Sequence, residues 1–260
     1  LVLGMVFAAK PAVTEKVNPA GKIVAIPSNA VEVSPGVFSL GTAIDVDGRV
    51  VEGLMFVHYK KENAKPSGVG GKKGAPTCYG FLASGAKWKT IEPYAVNPSN
   101  SQNLTEVLIT EATLAGVSEW ETYGGSIFGA QGTNYTASYN NGALDDENTL
   151  SFGVISKSGA IAVTNVWGYF RGPPFTREIV EWDMLLDQAD FLWGDATIDA
   201  SKMDVQNIIT HELGHSAGLA DLYTVECVDE TMYGYSTEGE TSKRTLEQPD
   251  ITGLQRMYGA

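Results

Sequence analysis

The stretch that decides the fold reads Thr210-His211-Glu212-Leu213-Gly214-His215-Ser216-Ala217-Gly218-Leu219-Ala220-Asp221. It contains His-Glu-x-x-His, the pattern of two zinc ligands and a general base on one helix. Residues four apart lie one turn above each other on the same helix face, so His211 and His215 can bind one ion. The chain has three histidines, and the third, His58, is far upstream. We therefore predict that Asp221 completes the site, because zinc accepts carboxylate oxygens beside imidazole nitrogens.

Glu212 is the candidate general base of this site. It directly follows the first ligand, so we expect it to project beside the ion rather than onto it. Zinc lowers the pKa of a bound water to about 7, and a neighbouring carboxylate can take a proton from that water. The motif therefore predicts hydrolytic chemistry at neutral pH.

The flanking residues predict where this helix begins and ends. Ser201-Lys202-Met203-Asp204 resembles a capping box, which predicts a start near Ser201. Gly218 stands where a helix would end in a left-handed residue. Such an ending turns the chain back, and we expect that turn to bring Asp221 to the ion.

The extended motif resembles that of the metzincins, His-Glu-x-x-His-x-x-Gly-x-x-His followed by a Met-turn. Met232, within residues 230–235, falls where the Met-turn is expected, and residues 244–259 resemble the C-terminal helix of the matrixins. The resemblance covers roughly residues 78–260. It implies an α+β fold, a zincin catalytic domain with a twisted mixed sheet, an active-site helix and a C-terminal helix.

Two positions depart from the matrixin pattern. Asp221 replaces the third histidine, a variant similar to the snapalysin branch of small secreted proteases. Gly234 stands where matrixins usually have proline. The resemblance implies that Met232 packs beneath the zinc ligands and that Tyr233, Gly234 and Tyr235 border the substrate pocket.

The motif and the resemblance together predict a secreted zinc-dependent endopeptidase. The expected cofactor is one catalytic zinc ion, bound by His211, His215 and Asp221, with Glu212 as general base. Two alternatives remain open at this point. One is a non-catalytic zinc-binding module, and the other is a zinc amidase or esterase that acts on a non-protein substrate.

Charge is unevenly spread along the chain. Residues 1–76 carry a net charge of +3 and residues 77–260 a net charge of −16. Because the acidic part repels nucleic acid and anionic membranes, we expect neither as a partner. The expected partner is a protein or peptide substrate, and the expected state is a monomer. Asp145-Asp146-Glu147 and the region 178–195 are candidate calcium sites, although neither matches a known calcium loop.

The N-terminal part predicts a separate unit. Residues 1–9 resemble the end of a signal-peptide apolar region, which indicates a secreted protein. Residues 10–66 form a predicted small β-rich pro-region or accessory domain, with strands at 37–40 and 50–59. Residues 67–77 form a Gly- and Lys-rich linker, exposed to proteolysis, and residues 78–260 form the catalytic domain. We expect the protein to be made as a zymogen.

Further elements of the catalytic domain follow from hydrophobic periodicity. Residues 103–120 suit a helix, and residues 93–96, 150–155, 160–169 and 180–186 suit strands. The resemblance implies that the strand just before the zinc helix borders the cleft and pairs with extended substrate.

The chain has two cysteines, Cys78 and Cys227. In a secreted protein this favours a disulfide between them. The alternative is a thiol switch in which Cys78 binds the zinc of a latent form. Residues 76–79, Pro-Thr-Cys-Tyr, share only the proline and the cysteine with the matrixin pro-region segment.

Overall fold

The computed structural model describes residues 23–61 and 77–259. Its strands are β1 (Ile23–Val24), β2 (Val31–Ser34), β3 (Val37–Ile44), β4 (Val50–Lys60), β5 (Tyr94–Val96), β6 (Gln131–Thr133), β7 (Thr149–Ile155), β8 (Ala160–Tyr169), β9 (Glu178–Asp187), β10 (Trp193–Gly194), β11 (Met203–Asp204) and β12 (Tyr235–Ser236). Its helices are α1 (Glu106–Gly124), α2 (Val205–Ser216) and α3 (Gln248–Tyr258). Within this part of the chain, no helix combines the length and apolar character that spanning a bilayer requires.

One large mixed sheet organises the molecule. Its strand order is β2-β3-β4-β8-β9-β7-β5-β6. The strands β9, β7, β5 and β6 run parallel to one another, and β8 is antiparallel to both of its neighbours. Together with three helices, this sheet confirms the predicted α+β class.

The main core lies between one face of the sheet and the helices. Trp120 of α1 is fully buried, and its indole Nε1 donates to the carbonyl of Thr210 in α2 at 2.7 Å. Ile208 and Leu213 of α2 belong to the same buried cluster. A second apolar cluster covers the opposite face of the sheet, where Val57 packs among residues of β7, β8 and β9. The helix α2 is therefore anchored in the centre of the molecule.

The start of α2 differs from the prediction. The predicted capping box at Ser201 is wrong, because the N-cap is Asp204, whose carboxylate accepts from the Asn207 N–H at 2.8 Å. Residues Met203 and Asp204 are held extended by parallel pairing with β10, so the chain cannot begin a helix before Val205. The predicted helix at 103–120 begins later, at Glu106, where the Thr105 hydroxyl caps it.

Strands β3 and β4 join the same sheet as the strands that follow residue 77. Strand β4 pairs with β3 on one side and with β8 on the other. Residues 1–22, which include the predicted signal-peptide remnant, lie outside the described residues, as does the linker at 67–76. The boundaries of the predicted units therefore stay predictions.

The structure contains the disulfide that the sequence favours, between Cys78 and Cys227. The bond joins the start of the segment after residue 77 to the loop between α2 and β12. Because both thiols are consumed, Cys78 is not available to bind a metal, and the thiol-switch alternative is wrong.

Loss of this bond should lower stability. On the chain-entropy account, opening a loop of 149 residues by Cys78→Ser with Cys227→Ser costs about 5 kcal/mol of unfolding free energy. Chemical denaturation measures this cost. Thiol titration of the unreduced, denatured wild-type chain should find no free thiol, and the reduced chain should give two. Two thiols before reduction would contradict the bond.

Candidate metal centre

Three of the predicted site residues converge beside α2. His211 and His215 are 0% and 1% exposed, one turn apart on the same helix face. The Asp221 Oδ1 atom lies 3.2 Å from His211 Nε2 and 3.4 Å from His215 Nε2. Among the described residues, none of these three atoms has a hydrogen-bond partner. Buried polar atoms almost always have a hydrogen-bond partner. Three buried nitrogen and oxygen atoms that lack one and face the same point therefore indicate a cation site.

The other ring nitrogen of each histidine is held by a carbonyl oxygen. His211 Nδ1 lies 2.7 Å from the Thr231 carbonyl oxygen, and His215 Nδ1 lies 3.0 Å from that of Leu219. A carbonyl only accepts, so each Nδ1 must carry the proton and donate it. Each Nε2 then presents its lone pair to the shared point, as a metal-binding histidine requires.

Gly218 and Tyr223 place Asp221. Gly218 has a φ of 103°, and a Cβ there would lie 2.8 Å from the Ala86 carbonyl oxygen, so the turn after α2 accepts only glycine. The Tyr223 hydroxyl donates to Asp221 Oδ2 at 3.0 Å, so Oδ1 is the oxygen that faces the two histidines. Burial acts to raise the pKa of Asp221, but the two histidines outweigh it and hold that pKa well below its usual range.

Glu212 is fully buried, and both of its oxygens are engaged. Oε2 accepts from the Thr164 hydroxyl of β8 at 2.5 Å, and Oε1 lies 3.1 Å from His58 Nδ1 of β4. Burial acts to raise the pKa of Glu212, but the hydrogen bond from His58 and the nearby histidines hold it below the ordinary value. Burial lowers the pKa of His58 to about 4, so its ring is neutral at neutral pH.

Met232 lies directly beneath α2. A Cβ at Gly214 would lie 2.2 Å from Met232 Sδ, so glycine between the two histidines is what allows this packing. The turn is held from the C-terminal helix, where the Asp250 carboxylate accepts from the N–H groups of Thr231 and Met232 at 2.8 and 3.3 Å. Met232 therefore packs against α2 at Gly214, and its role as a Met-turn residue stays a proposal.

Comparison with known families matches this same region. A family model for the matrixins matches residues 147–259, which run from β7 to the end of α3 and include the whole cluster at α2. The matched part of the chain, residues 147–259, is therefore similar to the matrixins. Among the curated proteins, no sequence matches the chain. The match supports a zinc metalloprotease, a hydrolase that acts on protein or peptide substrates.

The segment after Met232 packs against Tyr223 and Lys243. Gly234 lies against Tyr223, and a Cβ there would approach the Tyr223 ring within 2.5 Å, which explains why glycine replaces the usual proline. The buried Lys243 ammonium donates to the Tyr235 carbonyl and the Ser236 hydroxyl at 2.6 and 2.7 Å. The hydrogen bond from Lys243 therefore fixes the backbone of this segment, and the Tyr233 side chain is partly exposed.

Strand β8 lies directly beside α2. The strand at 180–186, which was expected to pair with substrate, is β9, and its pairing with β8 and β7 on its two sides leaves no edge for a substrate strand. The order of the strands along the chain differs from their order in the sheet, because β9 follows β8 in the chain but pairs between β8 and β7. Thr164, which contacts Glu212, therefore comes from β8.

Several functional side chains have no motif of their own. Tyr223 lies two residues after Asp221, a spacing that suggests contact, but nothing in the sequence links His58, Thr164 or Asp250 to the zinc helix. In the sequence, His58 stands out only because it is the one histidine outside the motif. Each of these contacts is a long-range one that the strand order and the C-terminal helix create.

A second group of acidic side chains lies elsewhere in the sheet. Asp145 comes together with Glu181 and Asp183, and both residues of β9 are about 1% exposed. Among the described residues, Glu181 Oε1 and Asp183 Oδ2 have no hydrogen-bond partner. Burial raises the pKa of Glu181 to about 8 and also raises that of Asp183. The group unites Asp145 from one predicted calcium region with Glu181 and Asp183 from the other.

The hydrogen bond from Tyr223 should strengthen zinc binding. We expect Tyr223→Phe to weaken zinc affinity by about tenfold or more, because partners that orient a metal ligand contribute on that scale. A competitive chelator titration measures the affinity. Tyr123→Phe, in α1, is the matched control. Equal affinity in the two variants would show that Asp221 does not depend on this hydroxyl.

Proposed function

We propose that this protein is a secreted zinc-dependent endopeptidase in which His211, His215 and Asp221 bind the metal. The proposal rests on three buried metal-ligand atoms that converge without hydrogen-bond partners. The Glu212 carboxylate lies beside these three atoms and is not one of them. Two imidazole nitrogens and one carboxylate oxygen match the ligand types of catalytic zinc sites. The residues present therefore fit one zinc ion.

Glu212 acts as the general base. Bound zinc lowers the pKa of water to about 7 and polarises a carbonyl group, which is the chemistry the metal supplies. Glu212 takes a proton from the attacking water and returns it to the leaving amine. Thr164 holds one carboxylate oxygen and so orients the other toward the cleft. Met232 supports α2 from below, and residues 233–235 form the wall of the substrate pocket.

Secretion and latency belong to the same proposal. The disulfide Cys78–Cys227 suits an oxidising compartment, as outside the cell. We propose residues 10–66 as a pro-region of a zymogen and the segment from residue 78 as the catalytic unit. The contact of His58 with Glu212 supports this division, because a residue of the proposed pro-region lies on the proposed base.

The decisive test is cleavage of casein by the zinc-loaded chain, assayed intact and after a cut between residues 61 and 77. Glu212→Gln should lose nearly all activity while it keeps its zinc, because it removes the proton acceptor and none of the ligands. Asp221→Ala should lose both zinc and activity. Glu111→Gln, at an exposed position of α1, is the matched control. Chelation should abolish wild-type cleavage.

The alternatives predict other results. Zinc binding without any hydrolysis would indicate a non-catalytic module. Hydrolysis of small amides or esters without casein cleavage would indicate an amidase or esterase. Full cleavage by Glu212→Gln would refute the assigned mechanism.

We also propose that Asp145, Glu181 and Asp183 bind one calcium ion, in support of the fold. Carboxylate oxygens are the ligands that calcium prefers, and two of these carboxylates are buried, each with one oxygen that makes no hydrogen bond within the described part of the chain. In the absence of a cation, burial favours the protonated, neutral forms of Glu181 and Asp183, whose pKa values it raises.

This predicts a link between pH and calcium. The pKa of Glu181 rises from 4.5 to about 8 on folding, so the folded state keeps a proton that the unfolded state loses in this window. In EDTA, the free energy of unfolding should therefore fall as pH rises from 5 to 8. Calcium at pH 8 should restore it.

Chemical denaturation in EDTA and in calcium measures both the fall in unfolding free energy with pH and its recovery in calcium. Glu181→Gln should reduce them, and Glu226→Gln, at an exposed position, should not. A calcium response of full size in Glu181→Gln would place any bound calcium elsewhere.

A further inference from the structure

A basic pocket lies between the end of α3 and two loops of the segment after residue 77. It is an open cavity of about 610 Å³, and its cationic lining residues are Lys87, Lys89, Arg177 and Arg256. Within the described part of the chain, no aspartate or glutamate lines it, although the Glu178 carboxylate lies 3.6 Å from the Lys89 ammonium. Residues 77–260 as a whole carry a net charge of −16. The pocket is therefore a local reversal of sign, which indicates an anionic partner.

Two of these cations rest on aromatic rings. The Lys87 ammonium lies 5.7 Å from the centre of the Tyr258 ring, and the Arg256 guanidinium carbon lies 5.1 Å from that of the Tyr79 ring. A ring face attracts a cation but does not neutralise its charge. The N–H groups of both side chains are hydrogen-bond donors only, so they suit a carboxylate.

Arg177 ties together the two loops that form the pocket, one before β5 and one between β8 and β9. Its Nη1 donates to the Ser84 carbonyl at 2.8 Å, and its Nε donates to the Gly172 carbonyl at 3.1 Å. A Cβ at Gly85 would lie 2.7 Å from the Pro174 carbonyl oxygen, so the two loops are in direct contact. The pocket is formed before a partner arrives, which reduces the entropy lost on binding.

An exposed aromatic ring borders the same pocket. Phe175 is 82% exposed, and Phe81 and Met257 also line the cavity. Aromatic, methionine and arginine side chains are the types enriched at protein interfaces. A phosphate ion or a sulfated polysaccharide has no apolar surface that could cover Phe175. A polypeptide that carries an apolar residue among acidic ones has both kinds of group.

We propose that the basic pocket binds an acidic polypeptide segment. Carboxylates of that segment contact Lys87, Arg177 and Arg256, and an apolar side chain covers Phe175. This binding uses none of the residues that surround the proposed zinc ion.

The pocket adjoins the turn that carries Asp221. Phe81 forms an isolated antiparallel bridge with Leu219, and the Leu82 N–H donates to the Gly218 carbonyl at 3.0 Å. A polypeptide held in the pocket therefore lies beside the proposed metal centre. We expect the pocket to favour substrates that carry an acidic segment, a role that rests on the proposed peptidase function.

The first experiment measures binding without hydrolysis. A short labelled peptide rich in aspartate, with one central phenylalanine, is titrated with the full zinc-loaded Glu212→Gln chain and followed by fluorescence anisotropy. Its affinity should fall as the salt concentration rises. Lys87→Gln and Arg256→Gln should each weaken binding by about tenfold, because each removes a hydrogen bond between charged groups. Phe175→Ser should weaken it only while the peptide keeps its phenylalanine.

Lys157→Gln is the matched control. It makes the same change of charge at an exposed lysine just before β8, whereas the pocket adjoins the loop after β8. The two positions are about 30 Å apart along that strand. The control should therefore bind the peptide as the parent chain does.

The second experiment tests the role in hydrolysis. One peptide substrate is prepared with and without an appended acidic segment, and the zinc-loaded chain is assayed intact and after a cut between residues 61 and 77. The appended segment should lower KM by about tenfold and leave kcat unchanged, because it adds binding at a second point. Arg256→Gln should remove the difference between the two substrates.

The outcomes separate the two proposals. Equal loss of affinity in Lys157→Gln and Arg256→Gln would overturn the pocket as the binding site. Tighter binding of a sulfated polysaccharide, unaffected by Phe175→Ser, would overturn the polypeptide partner. Equal KM for two substrates that are both cleaved would overturn the role in substrate choice. Peptide binding that needs Arg256, without cleavage of either substrate, would support the pocket and refute the peptidase function.

Discussion

The meeting of His211 Nε2, His215 Nε2 and Asp221 Oδ1 in the centre of the molecule is the interaction on which the rest depends. Burial of polar atoms without partners costs free energy, and the zinc ion that we propose here would compensate all three at once. The surrounding structure satisfies every other polar atom of these side chains with a carbonyl or a hydroxyl. The three remaining atoms, two imidazole nitrogens and one carboxylate oxygen, fit one zinc ion.

Close approach around α2 makes this arrangement possible. Gly214 admits the sulfur of Met232, Gly218 turns the chain past Ala86, and Gly234 makes room for Tyr223. Any Cβ at these three points would meet a neighbouring atom at 2.8 Å or less. Asp250 of α3 and the buried Lys243 then hold the segments that carry Met232 and Tyr235. The C-terminal helix therefore contributes to the geometry of the site although it carries no ligand.

The sheet links this site to the N-terminal part of the chain. Because β8 is followed by β9 in the interior, β8 has one side available, and β4 pairs there. The same pairing that completes the sheet places Phe56 and His58 on the two histidines of α2. Stability of the sheet and access to the site are consequently coupled through one strand.

The sequence by itself determined the local features of this protein. The four-residue spacing of His211 and His215, the left-handed turn at Gly218 and the α+β class all follow from periodicity, residue type and resemblance, and the structure agrees. The helix α2 starts later than its local capping pattern predicts, because pairing with β10 holds Met203 and Asp204 extended. Tertiary structure alone decided what surrounds Glu212, since Thr164 and His58 reach it only through the strand order, across 48 and 154 residues of chain. Local periodicity carries no information on which strands become neighbours. The strand order, in turn, decides which side chains surround the site.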